Sequence, residues 1–177
     1  MMAQPSASSR VPWICKTDAL LPANAPSSNL IAQDAGPARL AMTTKTFWPV
    51  GKRLRVKFLP GASQFVQDRI MFYAKKWTEV ANIDLRFIKS GDAHIRISFD
   101  QDGGSWSHVG THNLKVPSDK ATMNFGWFDN NTREEEFSRT TLHEFGHALG
   151  CVHEHQTSLS KLKWDKKKVY QDRKSVV

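Results

Sequence analysis

The sequence lacks several features that would identify other classes of protein. Its 177 residues include only two cysteines, Cys15 and Cys151, which excludes a disulfide-stabilised scaffold and leaves two free thiols as the expectation. No apolar run approaches the roughly 18 residues of a membrane-spanning helix, so no membrane span is expected. The first 22 residues are broken by Ser, Arg, Pro, Lys and Asp and do not resemble a secretory signal, which leaves the compartment unknown.

Basic residues outnumber acidic ones by eight, and the excess is concentrated near the C-terminal end. Residues 161–177 contain seven Lys or Arg and two Asp. Such a segment can bind nucleic acid or an anionic surface, or it can form a solvated helix face. No nucleic-acid-binding motif accompanies the charge, so we expect no nucleic-acid partner.

The hydrophobic pattern divides the chain in two. Residues 1–46 are rich in Ala, Pro, Ser and Asn without a sustained period, which indicates a flexible leader or a pro-segment. Residues 47–177 have the pattern of a folded domain. Alternation of apolar and polar residues predicts five strands, near 54–58, 85–87, 95–99, 106–111 and 121–127.

Two helices are predicted in the same domain, which makes it an α+β domain. The first is indicated by apolar residues at steps of four and three from Val66 to Val80. The second should begin at a capping box formed by Thr132 and Glu135, and it should end near Leu149.

The second helix ends in a motif that can bind a metal ion. His143 and His147 are four residues apart, so both imidazoles lie on one helix face and can share one ion. Glu144 is adjacent, and its carboxylate can reach a water molecule on that ion. His153 can join them only if the chain turns first, and Gly150 stands where a left-handed turn is needed.

The complete pattern, His-Glu-x-x-His-x-x-Gly-x-x-His, is specific. A chance match in a chain of this composition has a probability on the order of 10⁻⁵, if positions are independent. The alternative is a helix with two surface histidines and a third in the next loop. It leaves the placement of the glycine and the third histidine unexplained, so we favour the metal site.

This stretch resembles the zinc-binding motif of the metzincin peptidases. Because Glu154 follows His153, HEFGHALGCVHEH is most similar to the astacin-like branch, and GGSWSHVG and ATMNFGWF resemble the upper half of such domains. The likeness covers about residues 47–170 and is strongest at 143–155. It implies a metzincin-like upper subdomain, with a twisted mixed sheet of about five strands, a backing helix and an active-site helix.

The resemblance also implies a function, a Zn²⁺-dependent endopeptidase that hydrolyses peptide bonds through a metal-activated water. Its substrate would be a peptide or protein, and its oligomeric state is not indicated. Glu144 matches the general base of the family. Three residues match its zinc ligands: His143, His147 and His153. Ser105 and Trp106 lie where the family pairs peptide substrate with an edge strand.

One family feature is absent from the sequence. Metzincins have a methionine turn beneath the zinc, downstream of the third histidine, whereas all five methionines here lie upstream of His153. Residues 164–170 are interpreted as the start of a lower-subdomain helix, after which the sequence stops. We therefore expect the lower subdomain to be largely missing. An alternative function stays open, a zinc-binding protein with weak or no peptidase activity.

Overall fold

A computed structural model of the protein describes residues 30–33 and 40–153, which form eight strands and three α-helices. In chain order the strands are β1 Leu30–Gln33, β2 Leu40–Thr43, β3 Arg53–Phe58, β4 Asp84–Phe87, β5 Ile95–Ser98, β6 Ser105–Ser107, β7 Met123–Phe125 and β8 Cys151–Val152. The helices are α1 Gln64–Lys75, α2 Trp77–Val80 and α3 Glu134–Leu149. None of the described helices is long and apolar enough to cross a membrane.

The centre of the domain is a five-stranded mixed sheet, as the sequence predicted. Its strand order is β4-β3-β5-β7-β6. The pairs β3–β4, β3–β5 and β5–β7 are parallel, and β6 runs antiparallel to β7 at one edge. The α+β class and the five predicted strands are therefore confirmed.

The fourth predicted strand is shorter than expected. β6 ends at Ser107 instead of near Thr111, and a 3-10 helix, Gly110–Lys115, follows. Gly110 has a φ of 51°, which a strand cannot accommodate. The side-chain amide of Asn113 donates to the carbonyl of Gly110 at 2.7 Å and stabilises this turn instead.

The first predicted helix is interrupted. α1 begins after Ser63, whose hydroxyl caps the N–H of Val66, and ends at Lys75. The N–H of Lys76 bonds to the carbonyl of Tyr73, three residues back instead of four, and α2 starts with Trp77. The expected single helix from Val66 to Val80 is thus wrong in its last turn.

The capping box predicted at the start of α3 is also wrong. The hydroxyl of Thr132 accepts the backbone N–H of Asp129 at 2.9 Å and donates to its carboxylate at 3.0 Å, so it belongs to the preceding turn. The N-cap is Arg133, which makes no side-chain capping bond. Three glutamates in the first turn of α3 interact favourably with the helix dipole.

The core lies between the sheet and the helices, and α1 packs on α3. Its fully buried members include Leu54, Val56, Ile70, Ile95, Ile97, Met123, Phe125, Phe137 and Phe145. Phe137 and Phe145 project from α3, so the active-site helix predicted from the sequence is held against the sheet by two large side chains. Each such burial contributes about 1.5–3 kcal/mol.

A second, three-stranded sheet was not predicted. β1 pairs with β2, and β2 pairs with β8, both antiparallel, with Ala41 opposite Val152 and Met42 opposite Cys151. Part of the segment 1–46 therefore lies beside the strand that follows α3. The rest of that segment and the basic residues 161–177 lie outside the described residues.

The segment after β2 packs against the loop that follows β6. Thr46 is buried, and a Cβ added at Gly110 would lie 1.9 Å from the Thr46 carbonyl oxygen. At Gly51, which also has a positive φ, an added Cβ would meet no heavy atom within 4 Å. Two glycines of similar conformation therefore differ in their surroundings.

Gly110→Ala should destabilise the protein much more than Gly51→Ala. Both variants carry the strain of a left-handed residue, about 1–2 kcal/mol, and only Gly110→Ala adds a collision with Thr46. We expect Gly110→Ala to lose about 1–3 kcal/mol more free energy of unfolding, measured by urea denaturation. Equal losses would contradict the packing of Thr46 on this loop.

Candidate metal centre

The last two turns of α3 place two imidazoles side by side. The rings of His143 and His147 are 4.6 Å apart between centroids, and their Nε2 atoms are 3.1 Å apart. His147 is buried, whereas His143 is exposed. The pair therefore lies at the surface of the domain, with one side open.

Gly150 ends α3 and turns the chain. Its φ is 113°, in the left-handed region, and its N–H donates to the carbonyl of His147 at 2.8 Å. The chain then enters β8 and reaches His153, which packs its ring 4.7 Å from that of His147. The turn predicted at Gly150 is confirmed.

The structure brings the three predicted histidines together at one point. The Nε2 atoms of His143 and His153 are 3.0 Å apart, and those of His147 and His153 are 3.2 Å apart. Zinc bound tetrahedrally at about 2.0–2.1 Å from each nitrogen would require separations of about 3.3 Å. The observed separations differ from this value by at most about 0.3 Å, so the three nitrogens fit one metal ion of this size.

The hydrogen bond of His147 sets its tautomer. Its Nδ1 lies 2.8 Å from the carbonyl oxygen of Cys151. A carbonyl can only accept, so Nδ1 carries the proton and Nε2 presents a lone pair to the other two rings. Burial lowers the pKa of His147 to about 4, although its bond to Cys151 opposes this, and a proton on Nε2 is disfavoured near neutral pH. A metal cation is the group that this convergence of nitrogens suits.

Glu144 follows His143 in the helix and is 1% exposed. Its side chain is among the largest fully buried side chains of the domain. Carboxylates are almost never fully buried unless they are paired. Glu136 in the first turn of α3 is also buried, at 8% exposed, and its carboxylate accepts hydrogen bonds from Trp127, Arg139 and Thr140.

The two residues predicted to contact substrate lie on β6, an edge strand that packs on α3. Ser105 is fully buried, and its hydroxyl accepts the N–H of Gly126 at 3.3 Å. Trp106 is partly buried, and its ring packs edge-on against His108. The structure does not place either side chain in the histidine group.

Two tryptophans contact α3 beside the histidine group, and these contacts were not predicted from the sequence. The indole N–H of Trp48 donates to the carbonyl of Ala148 at 2.8 Å, and that of Trp77 to the carbonyl of Leu142 at 3.1 Å. Their partners are 100 and 65 residues away in the chain. No local sequence pattern could have predicted either bond.

The comparisons with known proteins found similar solved structures. No family model and no curated protein matches the sequence. A structure of myroilysin is 46% identical, with a TM-score of 0.71 over 74% of this chain and 63% of that one. A crystal structure of myroilysin is 49% identical, with a TM-score of 0.61 over 71% of this chain and 54% of that one.

A third solved structure is much less similar. It is high choriolytic enzyme 1, a hatching enzyme zinc-protease from the medaka fish Oryzias latipes. It shares 18% identity, with a TM-score of 0.43 over 70% of this chain and 55% of that one.

The mixed sheet, the histidine group at the end of α3 and the likeness to myroilysin define the fold as that of a metzincin metallopeptidase. More particularly, the chain resembles myroilysin, and its motif resembles that of the astacin-like branch. It spans 63% and 54% of the lengths of the two myroilysin chains.

Metal-free protein should become less stable as the pH falls from 6.5 to 4. In the unfolded chain His147 has a pKa near 6.5, and in the folded chain it has one of about 4, so only the unfolded chain takes up this proton in that window. The contribution to the free energy of unfolding is at most about 1.4 kcal/mol per pH unit. His147→Gln should therefore show a shallower decline when both proteins are denatured with urea in excess chelator. Identical declines would contradict the burial of a neutral His147.

Proposed function

We propose that this chain binds one Zn²⁺ ion and hydrolyses peptide bonds as an endopeptidase. The observation that carries the proposal is the convergence of three Nε2 atoms within 3.2 Å, at the end of a helix that also bears a buried glutamate. The similarity to myroilysin supports it, because the fold agrees with the motif.

His143, His147 and His153 would hold the metal. Three neutral imidazoles leave one position of a tetrahedral ion open, as in catalytic zinc sites. When bound, zinc acidifies a water molecule and polarises the scissile carbonyl. The bond from His147 to Cys151 would keep that ligand in the required tautomer.

Glu144 would act as the general base. Its carboxylate would accept a proton from the attacking water and later donate it to the departing amine. A carboxylate shielded from solvent interacts strongly with nearby charge, and its side chain is restricted by packing. The 1% exposure of Glu144 supports this assignment.

The substrate would be an extended peptide that pairs with β6. This strand is hydrogen-bonded only to β7 among the described strands, and it lies beside α3. An open strand edge can bind a peptide through backbone bonds. Because the Ser105 side chain is buried, Ser105 would contact the peptide through its backbone, and Trp106 would contribute the side chain.

Purified protein should contain about one zinc ion per chain after dialysis, because three ligands form one site. Elemental analysis measures the ratio, with a His147→Ala variant as the control that should lose the metal. A ratio near zero in folded protein would refute the proposal.

Glu144→Gln should retain zinc and lose hydrolysis. The amide has the same size as the carboxylate but cannot accept the proton, so kcat/KM on a quenched fluorescent peptide should fall by about 10²–10⁴. Zinc content, measured in parallel, should stay unchanged. Undiminished cleavage would show that Glu144 is not the base. A wild-type protein that holds zinc without any cleavage would instead be a zinc-binding protein.

A further inference from the structure

Two indole groups contact α3 on either side of the histidine pair. Trp77 donates to the carbonyl of Leu142, which belongs to the peptide bond leading into His143. Trp48 donates to the carbonyl of Ala148, the residue after His147. The helical segment that carries the histidines therefore has a tertiary hydrogen bond at each end.

Trp77 also packs against the backbone of α3 between these histidines. A Cβ on Gly146 would lie 3.2 Å from Cζ2 of Trp77, so the indole lies almost against the helix at this residue. Leu142 and Gly146 are four residues apart and share one helix face, about 100° from the face of His143 and His147. Trp77 thus contacts the helix beside the nitrogen ligands without entering their group.

Trp48 contacts the opposite end of the same segment. The Ala148 carbonyl is one of the last four of α3, which have no partner within the helix, and the Trp48 indole provides one at 2.8 Å. Trp48 is 8% exposed, and its ring packs edge-on against the ring of His94, which immediately precedes β5. The two ring centroids are 5.7 Å apart. The C-terminal end of α3 is thereby tied to the residues that precede β3.

We propose that Trp48 and Trp77 are positioning residues of the metal centre, an inference that rests on the proposed zinc function. Two of the three nitrogens come from α3 and the third from beyond its end. A small rotation or shift of the helix would therefore separate them. Indole bonds at Leu142 and Ala148 resist both movements, so the nitrogens are preorganised before the metal arrives.

The test compares the zinc affinities of three tryptophan variants of the full chain. Trp48→Phe and Trp77→Phe each keep an aromatic ring and lose the N–H. Trp127→Phe is the matched control, because Trp127 also donates to α3, at 3.0 Å, but to Glu136 in the first turn. That contact is seven residues, or about 10 Å along the helix, from His143. Affinity is measured by competition with a chromophoric chelator.

We expect the zinc Kd to rise about 10-fold or more in Trp48→Phe and in Trp77→Phe, and less than about twofold in Trp127→Phe. The visible absorption of the Co²⁺-substituted protein should change in the first two variants and stay the same in the control, because it reports ligand geometry. A purely structural role would lower the melting temperature of all three variants and leave both metal readouts unchanged.

Unchanged Kd values in Trp48→Phe and Trp77→Phe would overturn the inference, and so would an equal rise in all three variants. If either variant fails to fold, benzothienylalanine at that position retains the two-ring shape and replaces only the N–H by sulfur. Absence of zinc binding in the wild-type protein would instead refute the proposed function. The two failures are therefore distinguishable.

Discussion

The constraint on which the rest of the structure depends is the convergence of three imidazole nitrogens, 3.0–3.2 Å apart, with the lone pair of at least one of them directed at the others. Two nitrogens this close repel one another if both present lone pairs, and they attract one another if one carries a proton or if a cation lies between them. Burial disfavours a second proton on His147, whose pKa is about 4, so packing of the domain contributes to holding the three rings together. Binding of the proposed zinc ion would therefore add to the stability of the folded domain.

The fold meets this constraint by fixing α3 from several sides. Phe137 and Phe145 attach the helix to the sheet through the core. Trp48 and Trp77 add hydrogen bonds to its backbone near the histidines. β8, which leads to His153, is itself paired with β2, so residues far upstream of α3 support the third nitrogen. The site is therefore a property of the tertiary structure, although its motif spans only eleven residues.

Local periodicity explains what could be predicted from the sequence. A spacing of four on a helix, alternation in a strand and a glycine at a helix end each have one dominant structural meaning, so the five strands, α3 and the turn at Gly150 were predictable. The capping box failed because Thr132 had a competing partner in Asp129, and sequence alone does not rank the two. The pairing of β2 with β8 depends on contacts across more than 100 residues, for which no local pattern exists.

The turn at Gly150 joins the two requirements of the site. By ending α3 it allows His153 to return to the other histidines, and by directing β8 past the helix it brings the Cys151 carbonyl within 2.8 Å of Nδ1 of His147. That bond keeps the proton on Nδ1 and leaves Nε2 available as a ligand. One left-handed glycine thus determines both the position of the third nitrogen and the tautomer of the second. A continued helix would have lost both at once, since neither the carbonyl nor His153 could then reach the site.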